Sequence, residues 1–536
     1  MSSSTLGRPA GPAAAPAGET GPPAEQQGRM THRQVLEALS GMLLAMFVAF
    51  LSSTVVSNAL PTIITELRGT QGQYTWVVTA TLLASTASTP IWGKLADLFS
   101  KKLLLQISIV VFIAGSMLAG LAQSVDTLIA WRALQGLGLG GVQALVQIAM
   151  AAMISPRERG RYSGLIGAVI AVATVGGPLI GGLLVDTSWL GWRSVFYVGV
   201  PFAAVALVLL QRTLHLPVTR RDVRIDYLGA AFLTAGVSAL LIWVTLAGGT
   251  FPWWSVETAL FLAGGLLAIA AFVVTELRAA EPIVPLRLFR DRTTTLAIMA
   301  SVAIGVAMFG SSVFLGQYLQ ISRGYSPTAA GLLTVPMVGG LLLSSTVSGI
   351  LITRTGRWKR YLVAGSLLVV VGFGLLATID HETDMVVLGV FLFVLGVGIG
   401  MTMQNLVLAV QNTVAARDLG AASSAVAFFR SLGGTIGVSV LGAVLSTRVG
   451  DLIAQGLAST PGAAAAAQGS GSVGLADLAD APPAVRTLIQ VSYGDATGRI
   501  FLVSAIVAVV AVAAIGFIRE VALRTESGDE RLRAGR

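Results

Sequence analysis

The chain has 536 residues, 54% of them apolar and only 11% charged, with a mean hydropathy of +0.80; a soluble domain carries roughly 25% charged residues, so this is a polytopic membrane protein with little folded material outside the bilayer. The net charge of +9 is spread over short loops between apolar runs instead of gathering in one patch, which excludes a nucleic-acid binder. Cysteine is absent, which excludes a disulfide framework, a thiolate metal site and a cysteine nucleophile.

Residues 1–34 open the chain with Pro, Gly, Ala and Ser and no apolar periodicity, the composition of a disordered cytoplasmic tail. Residues 41–51 (GMLLAMFVAFL) continue into a full-length apolar run, so they are read as a first helix and not as a cleaved signal. A spanning helix needs about 20 mostly apolar residues. Such runs lie at 36–62, 74–96, 103–122, 128–153, 162–186, 194–211, 227–247, 258–275, 294–320, 327–352, 360–378, 385–413, 421–446 and 500–518, fourteen in all. An even number returns both termini to one side. The connections and tails on that side hold 27 Lys and Arg against 6 on the other, with Arg132 and Arg430 inside spans. The bias predicts that both tails are cytoplasmic. Arginine outnumbers lysine 31 to 4 and Ala and Gly are abundant, which points to a GC-rich bacterial genome and the bacterial cytoplasmic membrane. The connection 447–499, rich in Ala, Gly and Ser, is expected to be a long external loop, either disordered or an amphipathic cap.

Two stretches echo each other. Residues 93–102 read GKLADLFSKK and residues 349–358 read GILITRTGRW, with Gly first, Leu third, Ser or Gly eighth and a basic residue ninth. Each follows the second span of its group if spans 1–6 and 9–14 are paired halves. Internal repeats related by pseudo-symmetry are a common plan of secondary transporters. The predicted division is an N-terminal half over 35–212, a linker with two inserted helices over 213–292, a C-terminal half over 293–520 and a tail over 521–536.

Several stretches carry residues with a physical task. In GKLADLFSKK, Gly93 lets helices approach closely. Asp97, beside Lys101 and Lys102, can cap a helix or pair with a cation and so latch one conformation; a solvated cytoplasmic turn is the plainer alternative. In WRALQGLGLGG at 131–141, Arg132 sits within an apolar helix, where a charge costs at least about 2.5–3.5 kcal/mol without a partner. It faces a cavity or partner, or snorkels outward. In ATVGGPLIGG at 173–182, Gly177, Gly181 and Gly182 offer a flat packing face and Pro178 removes a backbone hydrogen bond. FFRSLGGTIG at 428–437 holds the second intramembrane charge, Arg430.

Together with EPIVPLRLFR at 281–290, these stretches resemble the major facilitator superfamily, and within it the fourteen-helix drug:proton antiporter branch, over roughly residues 35–520. The loop after span 2 matches the family pattern at Gly93, Leu95, Asp97, Lys101 and Lys102, with Leu98 and Ser100 in place of Arg and Gly. The span 5 stretch matches the antiporter signature except that Ala173 replaces its first Gly. The resemblance implies an all-α membrane protein with two six-helix halves plus two inserted helices, alternating access, a role for Arg132 in proton transfer, and export.

The resemblance breaks in span 1. The branch carries an aspartate where LSSTVVSNALP at 51–61 places Ser52, and serine does not titrate. Glu66, Asp126, Asp186, Asp226, Glu257 and Glu276 all fall at predicted helix ends or in loops. A helix-end acid, Asp97 or the substrate's own ionisable group are the replacements considered. The expected cavity is then lined by Ser52, Asn58, Gln143, Gln147, Gln317, Tyr318, Gln404 and Asn405 beside two arginines, with Gln411 and Asn412 nearby. Such a cavity favours neutral, zwitterionic or anionic amphiphiles over dications, although any one amide can instead tie helices together.

The expected protein is a secondary carrier and not an enzyme. It would export a small amphiphilic compound, a drug or secondary metabolite, against protons, as a monomer in the bilayer with no cofactor, metal or nucleic acid. An exporter of lipid or siderophore on the same fold, or a carrier uncoupled from protons, are the rival readings. A haem or quinone enzyme is disfavoured because the three histidines, His32, His215 and His381, lie in loops or at helix ends. An ATP-driven pump is disfavoured by the lack of a phosphate-binding GxxxxGK[ST] loop.

Overall fold

The computed structural model describes residues 32–69, 71–187, 190–214, 226–247, 251–279, 282–459, 483–527 and 530–531. Among the described residues, fourteen long helices follow one another. The first six are α1 (His32–Glu66), α2 (Gln71–Leu98), α3 (Lys101–Gly120), α4 (Val125–Met153), α5 (Pro156–Asp186) and α6 (Ser194–Thr213). An inserted pair, α7 (Tyr227–Leu246) and α8 (Val256–Arg278), comes next. The last six are α9 (Arg292–Gln317), α10 (Ala329–Thr355), α11 (Lys359–Leu376), α12 (Met385–Thr413), α13 (Leu419–Ser459) and α14 (Pro483–Phe517). Thirteen are long and apolar enough to cross a membrane. The exception is α2, whose apolar run is diluted by Thr79, Thr81, Ser85, Thr86, Ser88 and Thr89. All six are buried, so α2 spans within protein and has little need of lipid-facing apolar surface.

Local chemistry sets the helix ends. Ser124 and Thr127 form a reciprocal capping box on α4. Asp226, Asp291 and Asp384 accept first-turn amides of α7, α9 and α12. Gly356 ends α10 at φ +69°, a left-handed cap that glycine adopts without penalty. The eighth position of both echoing stretches is therefore a turning point: Ser100 caps the start of α3 and Gly356 the end of α10.

The packing repeats in the two groups of six. In the first, α2 and α3 pack on α4, and α1 packs on α5 and α6. In the second, α10 and α11 pack on α12, and α9 packs on α13 and α14. Across the seam α2 meets α13 while α10 meets α5, the same contact related by the pseudo-symmetry. Separate apolar clusters fill the two groups. The inserted pair packs against itself, and α7 also touches α2 and α13 beside the seam.

The connection 447–499 is shorter than the sequence suggests. Helix α13 continues to Ser459 and α14 begins at Pro483, so much of 447–499 is helical, and 460–482 lies outside the described residues. The extensions hold because Leu452, Ile453 and Tyr493 join an apolar cluster with Leu445, Val449 and Ala496. Ser322 also donates to the Gln490 carbonyl at 2.8 Å.

Candidate functional site

The seam closes at the ends of helices nearest the basic loops. Asp97, at the end of α2, accepts the Gly420 and Ala421 amides, both at 2.9 Å. These are first-turn N–H groups of α13, so a carboxylate from one half caps the positive end of a helix in the other. Lys94 and Lys101 lie within electrostatic reach of the same carboxylate. Gly93 makes this approach feasible, because a methyl group there would overlap the Ser424 hydroxyl of α13. Nearby, Arg287 of the EPIVPLRLFR stretch pairs with Asp418 at 2.7 Å just before α13.

Further cross-seam bonds lie on the same side. Gln147 of α4 donates to Gln404 of α12 at 3.1 Å, which brings two predicted cavity residues together from opposite halves. Arg159 of α5 donates to Gln411 of α12, which in turn donates to Ser423 of α13 at 2.7 Å. The Arg159 guanidinium also reaches the Ala151 and Ile154 carbonyls. Burial, then repulsion from Arg531, pulls its pKa down to about 9, so it stays cationic at neutral pH. The segment after α14 lies across these groups. Asn412 accepts the Arg524 amide at 2.9 Å and donates to the Ala522 carbonyl at 3.1 Å. The Arg157 amide donates to the Arg524 carbonyl at 3.3 Å.

Deeper in the first half, Arg132 is 3% exposed. It donates to the Val77 carbonyl at 3.3 Å and to Gln135 at 2.6 Å. Gln135 donates onward to the Ser52 hydroxyl at 3.1 Å. The position where the branch has its acid is thus wired to Arg132, but through neutral groups alone among the described residues. The α1/α5 packing beside it depends on Gly177, since a methyl group there would overlap the Thr54 hydroxyl, which itself bonds the Ala173 carbonyl at 3.1 Å. Gly177→Val is expected to cost about 1–3 kcal/mol of stability through overpacking, read as a lower melting midpoint in detergent.

Arg430 differs from Arg132. It is 8% exposed on α13, and no acceptor lies within hydrogen-bond distance among the described residues. It shares a helix face with Ser423, Ala427 and Gly434; Ser423 turns that face toward α12 through Gln411, and Gly434 packs on Phe309 of α9.

The remaining predicted residues scatter. Gln143 is half-buried on the α4 face of Gln147, one turn away. Asn405 donates to the Met401 carbonyl of its own helix at 2.7 Å. Gln317 ends α9, and next to it the Tyr318 hydroxyl donates to the Asp380 carbonyl at 2.7 Å, a tie to the α11–α12 connection. The side chains of Asn58 and Pro178 lie outside the described residues. Sequence reasoning missed Gln135 as a wire, although the Arg-x-x-Gln spacing placed it one turn from Arg132. It also missed Arg159, counted as a loop charge, and the segment after α14, which carries no pattern.

A duplicated bundle of apolar helices whose two groups meet along a polar seam defines a membrane transporter. The chain belongs to the Major Facilitator Superfamily, whose family model matches residues 42–438. An uncharacterized MFS-type transporter of Mycobacterium tuberculosis is 38% identical over 491 residues, covering 90% of this chain and 69% of the relative. The multidrug transporter protein MdtP of Bacillus subtilis is 34% identical over 428 residues, covering 80% and 78%. Efflux pump dotC of Dothistroma septosporum is 34% identical over 414 residues, covering 76% and 70%. Among solved structures, the proton:xylose symporter XylE has a TM-score of 0.63 at 13% identity, covering 94% of this chain and 99% of that one. The human organic anion transporter MFSD10 has a TM-score of 0.58 at 13% identity, covering 88% and 99%. These two likenesses show the fold.

Proposed function

We propose that this transporter exports small amphiphilic compounds, drugs or secondary metabolites, from the cytoplasm by proton-coupled antiport. Its halves, 35–212 and 293–520, would rock about a central site as a monomer in the bacterial cytoplasmic membrane, with both tails inside. Relatives named as multidrug transporters and efflux pumps support export. The observation that carries the substrate class is Arg430, a largely buried cation without an acceptor among the described residues, on the helix face of Ser423, whose hydroxyl accepts from Gln411. A cation so placed favours a neutral, zwitterionic or anionic substrate over a dication. In this reading Asp97, Lys101 and Gly93 form the inner latch, Gly177 and Pro178 the α5 packing seam, and Ser52, Gln143, Gln147, Gln404 and Asn405 the cavity wall.

The Ser52–Gln135–Arg132 chain, which includes no acid among the described residues, favours a second reading, a carrier that moves substrate without protons. Inverted membrane vesicles with an imposed pH gradient and a pH-sensitive dye separate the two. Proton release on adding substrates from an amphiphile panel supports antiport. Substrate movement without proton flux overturns it and leaves the uncoupled carrier. A panel that includes lipids and siderophores tests those substrates on the same fold.

A further inference from the structure

Helix α8 turns most of its surface outward: Leu260, Leu266, Leu267 and Leu277 are 67%, 58%, 70% and 71% exposed. Its buried stripe comprises Thr258, Gly265, Phe272 and Glu276. A carboxyl therefore stands on the one face that packs into protein, and it is only 4% exposed. Its Oε1 accepts the Ile283 amide at 2.9 Å, and the Val284 amide lies beside the same carboxyl. Its Oε2 is buried with no hydrogen-bond partner among the described residues. Asp226, the cap of α7, repeats the pattern: Oδ1 accepts the Gly229 amide at 2.8 Å while Oδ2 is buried with no partner among the described residues. Leu233, Val237, Phe272, Ile283, Val284 and Phe428 form an apolar cluster joining the same helices.

Two carboxyl oxygens buried without a hydrogen-bond partner among the described residues are stabilised, if ionised, by a nearby cation. Lys94 of α2, itself 7% exposed, lies within electrostatic reach of Glu276, as does Asp226. Lys94 follows Gly93, which touches Ser424 across the seam, and precedes by three residues Asp97, which caps α13. Helix α7 packs against both α2 and α13.

We infer that the inserted helix pair is a working part of the cytoplasmic gate: Glu276 and Asp226 hold Lys94, and with it the end of α2, against α13 in the closed state. Glu276 is a positioning residue that acts on the latch through Lys94. When the gate opens, α2 moves relative to α7 and α8, and the carboxyls lose part of the field of their cation. The pair thereby adds to the free energy of gate closure without touching substrate.

The test uses the full-length chain, in which a cysteine introduced by Ser424→Cys is the sole thiol because the natural chain has none. A membrane-impermeant maleimide applied to inverted vesicles reports how often the seam opens. Glu276→Gln keeps an oxygen for the Ile283 amide while removing the charge. The expected result is labelling faster by about tenfold, with Glu276→Gln and Lys94→Met less than additive in the double variant, since contacting charges couple. Unchanged labelling in a folded Glu276→Gln protein, or additive single effects, overturns the inference. If Glu276→Gln fails to fold, Asp226→Asn is read by the same two criteria. Gate opening is scored without substrate or pH gradient, so the result is independent of whether proton antiport holds.

Discussion

Replacing Asp97 by alanine is expected to open the seam at its Asp97 end about a hundredfold more often and to abolish most uphill transport. The carboxylate makes two charge-assisted bonds, both at 2.9 Å, to the first-turn amides of α13. Each such bond contributes about 1.5–3 kcal/mol, and α13 presents its positive end there. Losing about 3 kcal/mol from the closed state shifts its ratio to the open state about a hundredfold. Two α13 amides are also left buried beside Gly93, where refilling by water requires the helices to part. The reporter is again maleimide labelling at Ser424→Cys, compared with and without Asp97→Ala. Equal rates would show that the other cross-seam bonds hold the gate alone.

The second large effect concerns Arg430. A guanidinium without a protein acceptor costs up to roughly 2.5–3.5 kcal/mol in a membrane helix, less where its nitrogens reach solvent, so Arg430→Met, of similar length and apolar, is expected to leave the melting midpoint in detergent unchanged or to raise it. The same change removes the cation proposed to meet substrate, and affinity for anionic members of an amphiphile panel is expected to fall by about 10- to 100-fold, the worth of one charged hydrogen bond. Neutral members should lose little. A variant less stable than the natural chain would show that Arg430 has a structural partner in the resting protein. Equal loss for neutral and anionic compounds would count against its role in charge selection. Arg132→Met offers the contrast. It strips Val77 and Gln135 of their donor, so destabilisation is expected there.

The two arginines show how far the sequence can be read. Both were legible as anomalies, because a charge in an apolar run stands out whatever the fold. Their difference was not legible, because a partner 55 positions away, such as the Val77 carbonyl, leaves no mark in local pattern. Gln147 and Gln404 stand out in the sequence by residue type alone, and they meet across the seam. Tyr318 stands out in the same way, but its hydroxyl is bonded to the Asp380 carbonyl. Amide and hydroxyl side chains serve a cavity or a helix tie equally well, and only their neighbours decide which.

By itself, the sequence determined the membrane class, the fourteen helices and their duplicated order. Those follow from hydropathy, loop charge and repeat, which are local or additive along the chain. The sequence also marked Asp97, Arg132 and Arg430 as costly charges in need of an account. Only the tertiary structure decided which groups face each other across the seam: Asp97 with the α13 amides, Arg159 with Gln411, Arg132 through Gln135 with Ser52. It also turned Glu276 from an apparent helix-end acid into a buried carboxyl on the inserted pair. Burial and pairing are properties of the packed neighbourhood, and in a bundle of nearly uniform apolar helices a single helix's sequence says little about which face turns inward.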